Sequence, residues 1–193
     1  MSSSEYAQRF AEAVDFTGYV AAAKKNADLY RDLYRMAAVH ADLVERARQL
    51  PGFWHLLAIS EDWCGDAVNA LPSLARWVDE VPSLDLRILG RDDNPDLMDA
   101  HLTGESRSIP VVMILDENFV ERGWWGPRPG ELQRWVLDVG LGLEKSERYR
   151  MVRQWQARDR GRTTIGEVLT RLEAAAKSVS GTEADSTSTM SPR

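Results

Sequence analysis

The stretch Glu61-Asp62-Trp63-Cys64-Gly65-Asp66-Ala67 holds the residue types most able to do chemistry, and Cys64 is the only cysteine among 193 residues. A cysteine attacks as its thiolate, so its setting decides its use. Ahead of it runs the apolar segment Phe53-Trp54-His55-Leu56-Leu57-Ala58-Ile59. Behind it Leu71, Leu74, Ala75 and Val78 recur on one helical face. The pattern predicts a strand, a tight turn and a helix, with Cys64 at or just before the first helical residue. Unpaired amides and the positive end of the helix dipole meet there, and both favour a thiolate. A lone cysteine is most often a small buried hydrophobe. Beside Trp63 and Gly65 at such a junction, it reads as a reactive thiol.

Charges near the sulfur oppose that effect. A helix N-terminus favours an anion by about 0.3–1 kcal/mol when exposed and up to roughly 2 kcal/mol when partly buried. A like charge about 4 Å away costs about 1 kcal/mol in water and about 4 kcal/mol at a typical surface dielectric. Glu61, Asp62 and Asp66 all lie within three residues of Cys64, so one poorly screened carboxylate cancels the dipole and a mildly acidic thiol is expected. Asp66 has two readings: an acid suited to the first helical turn, or a carboxylate that shuttles the sulfur's proton or repels acidic partners.

The elements that must position this turn follow from periodicity. Residues 5–50 read as helices: Tyr19, Val20, Ala23, Ala27, Tyr30, Leu33, Tyr34 and Ala37 form one stripe, and a second stretch ends at Pro51-Gly52. The cysteine helix runs to about Glu80. Leu84–Leu89 is a strand, a helix opens around Pro95, and Gly104 closes it. Pro110–Leu115 is apolar and rich in β-branched residues, hence a central buried strand. Phe119–Trp124 is its antiparallel neighbour, and a helix spans about Pro129 to Val139. The order strand-helix-strand-helix-strand-strand-helix is an α/β mixed sheet with helices on both faces. Glu144–Arg160 reads as a basic helix with Tyr149, Val152 and Trp155 on one side. Thr164-Ile165-Gly166-Glu167 matches a capping box for a last helix to about Lys177. The expected organisation is therefore a helical extension over residues 1–50, a central domain over 51–140, a second helical extension over 141–177 and a disordered tail over 178–193.

Composition narrows the function classes. The formal net charge is −6. Residues 51–140 carry seven basic and sixteen acidic side chains, whereas residues 141–177 carry nine basic and five acidic. An acidic centre is the wrong sign for nucleic acid. No apolar run approaches membrane-spanning length, and the first residues lack a signal peptide's basic and apolar regions. One cysteine permits no internal disulfide, so a reducing cytoplasm is the expected location. His40, His55 and His101 have no metal-ligand spacing and read as structural; no metal is expected.

Trp63-Cys64-Gly65 at the end of the first strand resembles the start of the thioredoxin Trp-Cys-Gly-x-Cys motif. Arg107-Ser108-Ile109-Pro110, opening the third strand, resembles that superfamily's cis-proline segment. The chain is similar to a bacterial thioredoxin-like family with Trp-Cys-Gly-Asp, Gly-Arg-Asp, Arg-Ser-Ile-Pro and Trp-Gly-Pro-Arg-Pro, found here at 63–66, 90–92, 107–110 and 125–129. The resemblance implies a thioredoxin-like fold over about 51–140 and Cys64 as the catalytic thiol. It further implies that Ile109, beside Pro110, offers its backbone to a bound peptide or to glutathione as an added strand. Trp63, Gly65 and Asp66 would frame the groove. Of Trp124 and Trp125, neighbours on a strand, one faces the core and the other the groove; Trp125 is assigned to the groove, and Arg128 to an anion contact on its rim.

The departures restrict the chemistry. Ala67 stands where the resolving cysteine would be, so Cys64 can form a mixed disulfide that nothing in the chain releases. Ala58 replaces the buried acid that the resemblance implies six residues before the nucleophile, and Ile88 aligns with its paired lysine. Losing both leaves no unpaired charge but removes the proton relay. Two expectations follow. One is monothiol exchange through Cys64 with a client protein or a small thiol such as glutathione, with no bound cofactor. The other is a redox-inactive binding module that uses the groove beside Pro110.

Overall fold

The computed structural model describes residues 1–187, with side chains described as far as Val179. β1 (Trp54–Ser60), β2 (Leu84–Gly90), β3 (Val111–Leu115) and β4 (Glu121–Trp125) form one sheet in the order β2-β1-β3-β4. β1 and β2 are parallel, while β3 runs antiparallel to both β1 and β4. Every residue of β3 is buried, as its continuous apolar sequence requires of a strand covered on both faces. The register sets Ala58 opposite Ile88, so the two positions where the resemblance implies an acid and a lysine are apolar cross-strand neighbours.

The N-terminal part comprises α1 (Ser3–Glu12), α2 (Phe16–Ala22), α3 (Ala27–Met36) and α4 (Ala41–Arg48). The stripe from Tyr19 to Ala37 is therefore two helices. The chain breaks where the Lys24 and Lys25 amides donate to the Asp62 carboxylate at 2.6 and 2.9 Å, and Asn26 turns left-handed (φ 57°) to donate to the Asp62 carbonyl. A tertiary clamp on the cysteine turn thus overrides helix periodicity. Val14, between α1 and α2, bridges Ile88 through two backbone hydrogen bonds and shields part of the β2 edge.

α5 (Gly65–Val78) starts immediately after Cys64, and Cys64 O accepts from the Val68 amide at 3.0 Å. α6 (Pro95–Asp99) and α7 (Gly130–Asp138) follow, then a 3-10 turn (Gly140–Gly142), α8 (Lys145–Asp159) and α9 (Arg162–Thr187). β4 begins at Glu121, because Asp116 accepts the Asn118 and Val120 amides and Phe119 takes a positive φ of 57° in the turn. The capping box expected at Thr164 does not form. Asp159 instead receives the Thr163 amide, and Glu167 reaches across to Gly130 N and Trp125 Nε1, both at 2.8 Å. Of the expected tail, the part to Thr187 is helical and residues 188–193 lie outside the described residues. Buried side chains from α1, α3, α4 and α9 join those of the sheet in one continuous core. Among the described residues, no helix is long and apolar enough to cross a membrane.

Candidate functional site

The turn that carries Cys64 is held from three directions. Asp62 is gripped by the α2–α3 connection. Glu61 accepts the Asp92 amide at 3.0 Å. Cys64 N donates to Glu61 O at 3.0 Å. Two of the three carboxylates expected to oppose the thiolate are thus occupied in shaping the turn. The third, Asp66, lies under a bidentate contact from Arg128, with Nε–Oδ1 at 2.9 Å and Nη2–Oδ2 at 2.5 Å. Both side chains are largely covered (14% and 21% exposed), and Arg128 also donates to Gln133.

Arg128 is aimed by the backbone behind it. Gly126 has φ +139° and packs so tightly on Pro110 that an added Cβ would lie 2.1 Å from the Pro110 carbonyl oxygen. Only glycine fits there, so residues 126–128 lie against the segment containing Ile109 and Pro110. The Ile109–Pro110 peptide bond is cis, and the Cys64 thiol donates to Ile109 O at 3.3 Å.

Cys64 is 8% exposed. Burial pushes its pKa above the ordinary cysteine value; the Ala67 and Asp66 amides pull it down, Asp66's charge pushes it up and Arg128 pulls it down. The expectation of a mildly acidic thiol is therefore corrected: the protonated thiol is favoured. The sequence argument weighed dipole against carboxylates and lacked the leading cause, which is desolvation. Asp66 is also shifted up, because burial outweighs Arg128. An acid fully solvated in a first helical turn would show no such shift.

The sulfur forms part of the floor of a cleft of about 540 Å³. Trp63, Gly65, Asp66, Ile109 and Arg128 line it, as do Arg91 and Arg107. Trp63 is 45% exposed, and the Arg91 guanidinium sits 5.0 Å from its ring centroid. Arg107 is bound through Nε and Nη2 to Asp99. Pro110 is buried directly behind Ile109. Trp125 is not in the cleft, contrary to its assignment: it is 1% exposed, opposite Val112 in the register and bonded to Glu167 of α9. Trp124 takes the other face of β4, edge-on to His101. The two tryptophans alternate as expected, but neither lines the cleft: Trp124 lies against His101, and α9 covers the face on which Trp125 lies.

Sequence reasoning missed two of the cleft's walls. Asn26 and Leu29 form one wall, and Tyr149, Val152 and Arg153 of α8 form another. α8 is anchored by its turn into α9, where Gly161 (φ +78°) comes so close to Ser73 of α5 that an added Cβ would meet Ser73 Oγ at 2.3 Å. The Tyr149–Val152–Trp155 spacing was visible, but not which surface it covers. The three histidines lie elsewhere. His55 stacks on Phe119, His101 bonds Leu97 O and Glu121, and His40 contacts the Arg160 carbonyl. Among the described residues, no group of three or more His, Cys, Asp or Glu is placed to hold a metal.

A family model described as Thioredoxin matches residues 13–149. The chain belongs to the thioredoxin family. Within the match lie β1 to β4 and the Cys64 turn; Val152, Arg153 and α9 fall beyond it. This thioredoxin-family chain is also similar to the crystal structure of PA1234, a protein of unknown function from Pseudomonas aeruginosa, at 27% identity and TM-score 0.69, over 91% of this chain and 99% of that one. A second similar structure is an HIV epitope-scaffold of the 4E10 series, at 24% identity and TM-score 0.69, over 88% of this chain and 98% of that one. No curated protein matches the sequence.

Proposed function

We propose that this thioredoxin-family protein carries out monothiol exchange through Cys64. The observation that carries the reading is the sulfur's place in the floor of a ligand-sized cleft, at the head of α5 and 3.3 Å from Ile109 O. Deprotonated Cys64 attacks one sulfur of a disulfide, a Cys64–S–S–R bond forms, the original S–S bond breaks, and the departing thiolate takes up a proton from solvent. With Ala67 at the resolving position, a second thiol, either small such as glutathione or on a client protein, attacks the mixed disulfide and regenerates Cys64. A reducing compartment such as the cytoplasm suits a single free cysteine, and no bound cofactor is required.

The upward shift of the Cys64 thiol favours a second reading, in which the same groove binds a ligand beside Ile109 and the sulfur stays a spectator. Disulfide reduction by wild type and Cys64→Ser, with and without glutathione, separates the two. A glutathione-dependent rate lost in the serine variant, with a mixed disulfide on Cys64 detected by intact mass, is expected. Equal, negligible rates in both proteins would leave only the binding module.

A further inference from the structure

We infer that the cleft over Cys64 is built for a small acidic ligand, and that Arg153 of α8 is the residue that selects for negative charge. The protein as a whole is acidic, with a net charge of −6, and its central stretch more so. Yet the cleft is lined by Arg91, Arg107, Arg128 and Arg153 against a single carboxylate, Asp66. Three of these arginines are paired with carboxylates, so Arg153 leaves the cleft one positive charge in excess, and a positive cleft concentrates counter-charged ligands.

The four arginines are not equivalent. Arg128 has given both Nε and Nη2 to Asp66. Arg91 and Arg107 are tethered to Asp92 and Asp99 on the outer rim, where those carboxylates are 65% and 50% exposed and do not line the cleft. The Arg153 side chain makes no hydrogen bond or ion pair among the described residues. It projects from the part of α8 that lies beyond the family match, whereas Arg91, Arg107 and Arg128 lie within it. Tyr149, Val152 and Trp63 line the same cleft, with the Arg91 guanidinium over the Trp63 ring. About 540 Å³ admits a small molecule or a few residues of peptide. The substrate class that fits is a small disulfide or thiol bearing carboxylates.

The identity of the ligand as a disulfide rests on the exchange reading, whereas the preference for an anion does not. The test therefore separates them. Cys64, as the only cysteine, is alkylated by iodoacetate (anionic) and by iodoacetamide (neutral). In each case the thiolate sulfur forms an S–C bond and iodide leaves. The ratio of the two rates cancels the thiolate fraction and reads the charge of the cleft. Relative to free N-acetylcysteine, the ratio is expected to favour iodoacetate by about tenfold at low ionic strength and to fall as salt is added. Arg153→Gln should lower it several-fold; Arg150→Gln, on the same helix but outside the cleft, should not. A ratio equal to that of the free thiol, or one indifferent to Arg153→Gln and to salt, overturns the proposal. In a second arm, oxidised glutathione (anionic) is compared with cystamine (cationic). Faster reaction with oxidised glutathione supports the acidic substrate class, and faster reaction with cystamine overturns it while leaving exchange intact. If neither disulfide reacts but iodoacetate remains preferred, the exchange reading fails and the anion site stands.

Discussion

Replacing Arg128 with methionine tests whether burial, and not the mere presence of an ion pair, governs this site. Arg128 and Arg162 each make a bidentate contact with an aspartate: Asp66 in the cleft and Asp42 on the surface. Their hydrogen-bond geometry is similar and their surroundings are not. The Asp66–Arg128 side chains are 14% and 21% exposed, whereas Asp42 and Arg162 are both more than half exposed. Removing one partner of a buried pair strands the other in low dielectric, and losses of about 3–5 kcal/mol are typical of full burial. For a pair that retains some solvent, about 2–4 kcal/mol is expected for Arg128→Met, or roughly 5–15 °C in Tm for a chain of this size. Arg162→Met should barely move Tm, because water screens its partner. Adding Asp66→Asn to Arg128→Met should recover most of the loss, since the stranded charge is gone. The sign with pH is also set. Asp66's carboxyl is already raised in the folded state, so its contribution favours folding at low pH and is lost as pH rises through its folded pKa. The Arg128→Met deficit should therefore widen as pH rises through the raised pKa of Asp66. Thermal unfolding followed by far-ultraviolet circular dichroism measures all four proteins. Equal losses for Arg128→Met and Arg162→Met, or no recovery in the double variant, would refute the reasoning.

Alkylation of Cys64 by iodoacetamide should keep accelerating with pH beyond the ordinary cysteine range, because burial holds the thiol protonated; a plateau already reached near neutrality would contradict this. His55 is packed among Phe10, Phe53 and Phe119, and burial lowers its pKa despite Asp85 and Asp116. Stability that depends on neutral His55 is therefore full above about pH 6.5 and declines as pH falls toward the lowered value. His55→Phe should flatten that part of a stability–pH curve from urea unfolding. Gly126→Ala should lose more than about 2 kcal/mol, since its Cβ would strike the Pro110 carbonyl at a positive φ. Gly65→Ala meets nothing within 4 Å and should be neutral or stabilising by up to about 1 kcal/mol, with both variants compared by thermal melt.

What could be read from the sequence follows from the range of the interactions involved. The strand into Cys64, the buried β3 and the helix after Cys64 are announced by local periodicity and by Pro and Gly punctuation. The Trp63–Asp66 turn and the Ile109–Pro110 segment could be paired only through a resemblance, because no local rule says that residues 45 apart in sequence will touch. The cover over the cleft was hidden for the same reason. Val152 is apolar and spaced for a helix face, yet nothing near it states that the face packs on Leu132 and Val136 of α7 at the edge of the cleft. Trp125 was misplaced because alternation fixes which two faces a strand has, while the distant α9 fixes which one is dry.

The same long-range cover explains why the chemistry of Cys64 does not follow from its motif. Taken alone, the head of α5 presents the Asp66 and Ala67 amides to the sulfur and lowers its pKa. In the folded chain burial opposes this, and desolvation ranks first for both Cys64 and Asp66. Two acids thus share one buried guanidinium, and Arg128 has already given two N–H groups to the carboxylate. Ionising the sulfur places a second negative charge beside Arg128 with no further protein cation bonded to it. The cross-strand pair Ala58 and Ile88 is apolar and supplies no acid or base to move the proton. On the proposed exchange reading, reaction at Cys64 would therefore depend on what occupies the cleft: a ligand that displaces water, engages the arginines on the rim and brings its sulfur to Cys64 would supply the approach that this pair does not.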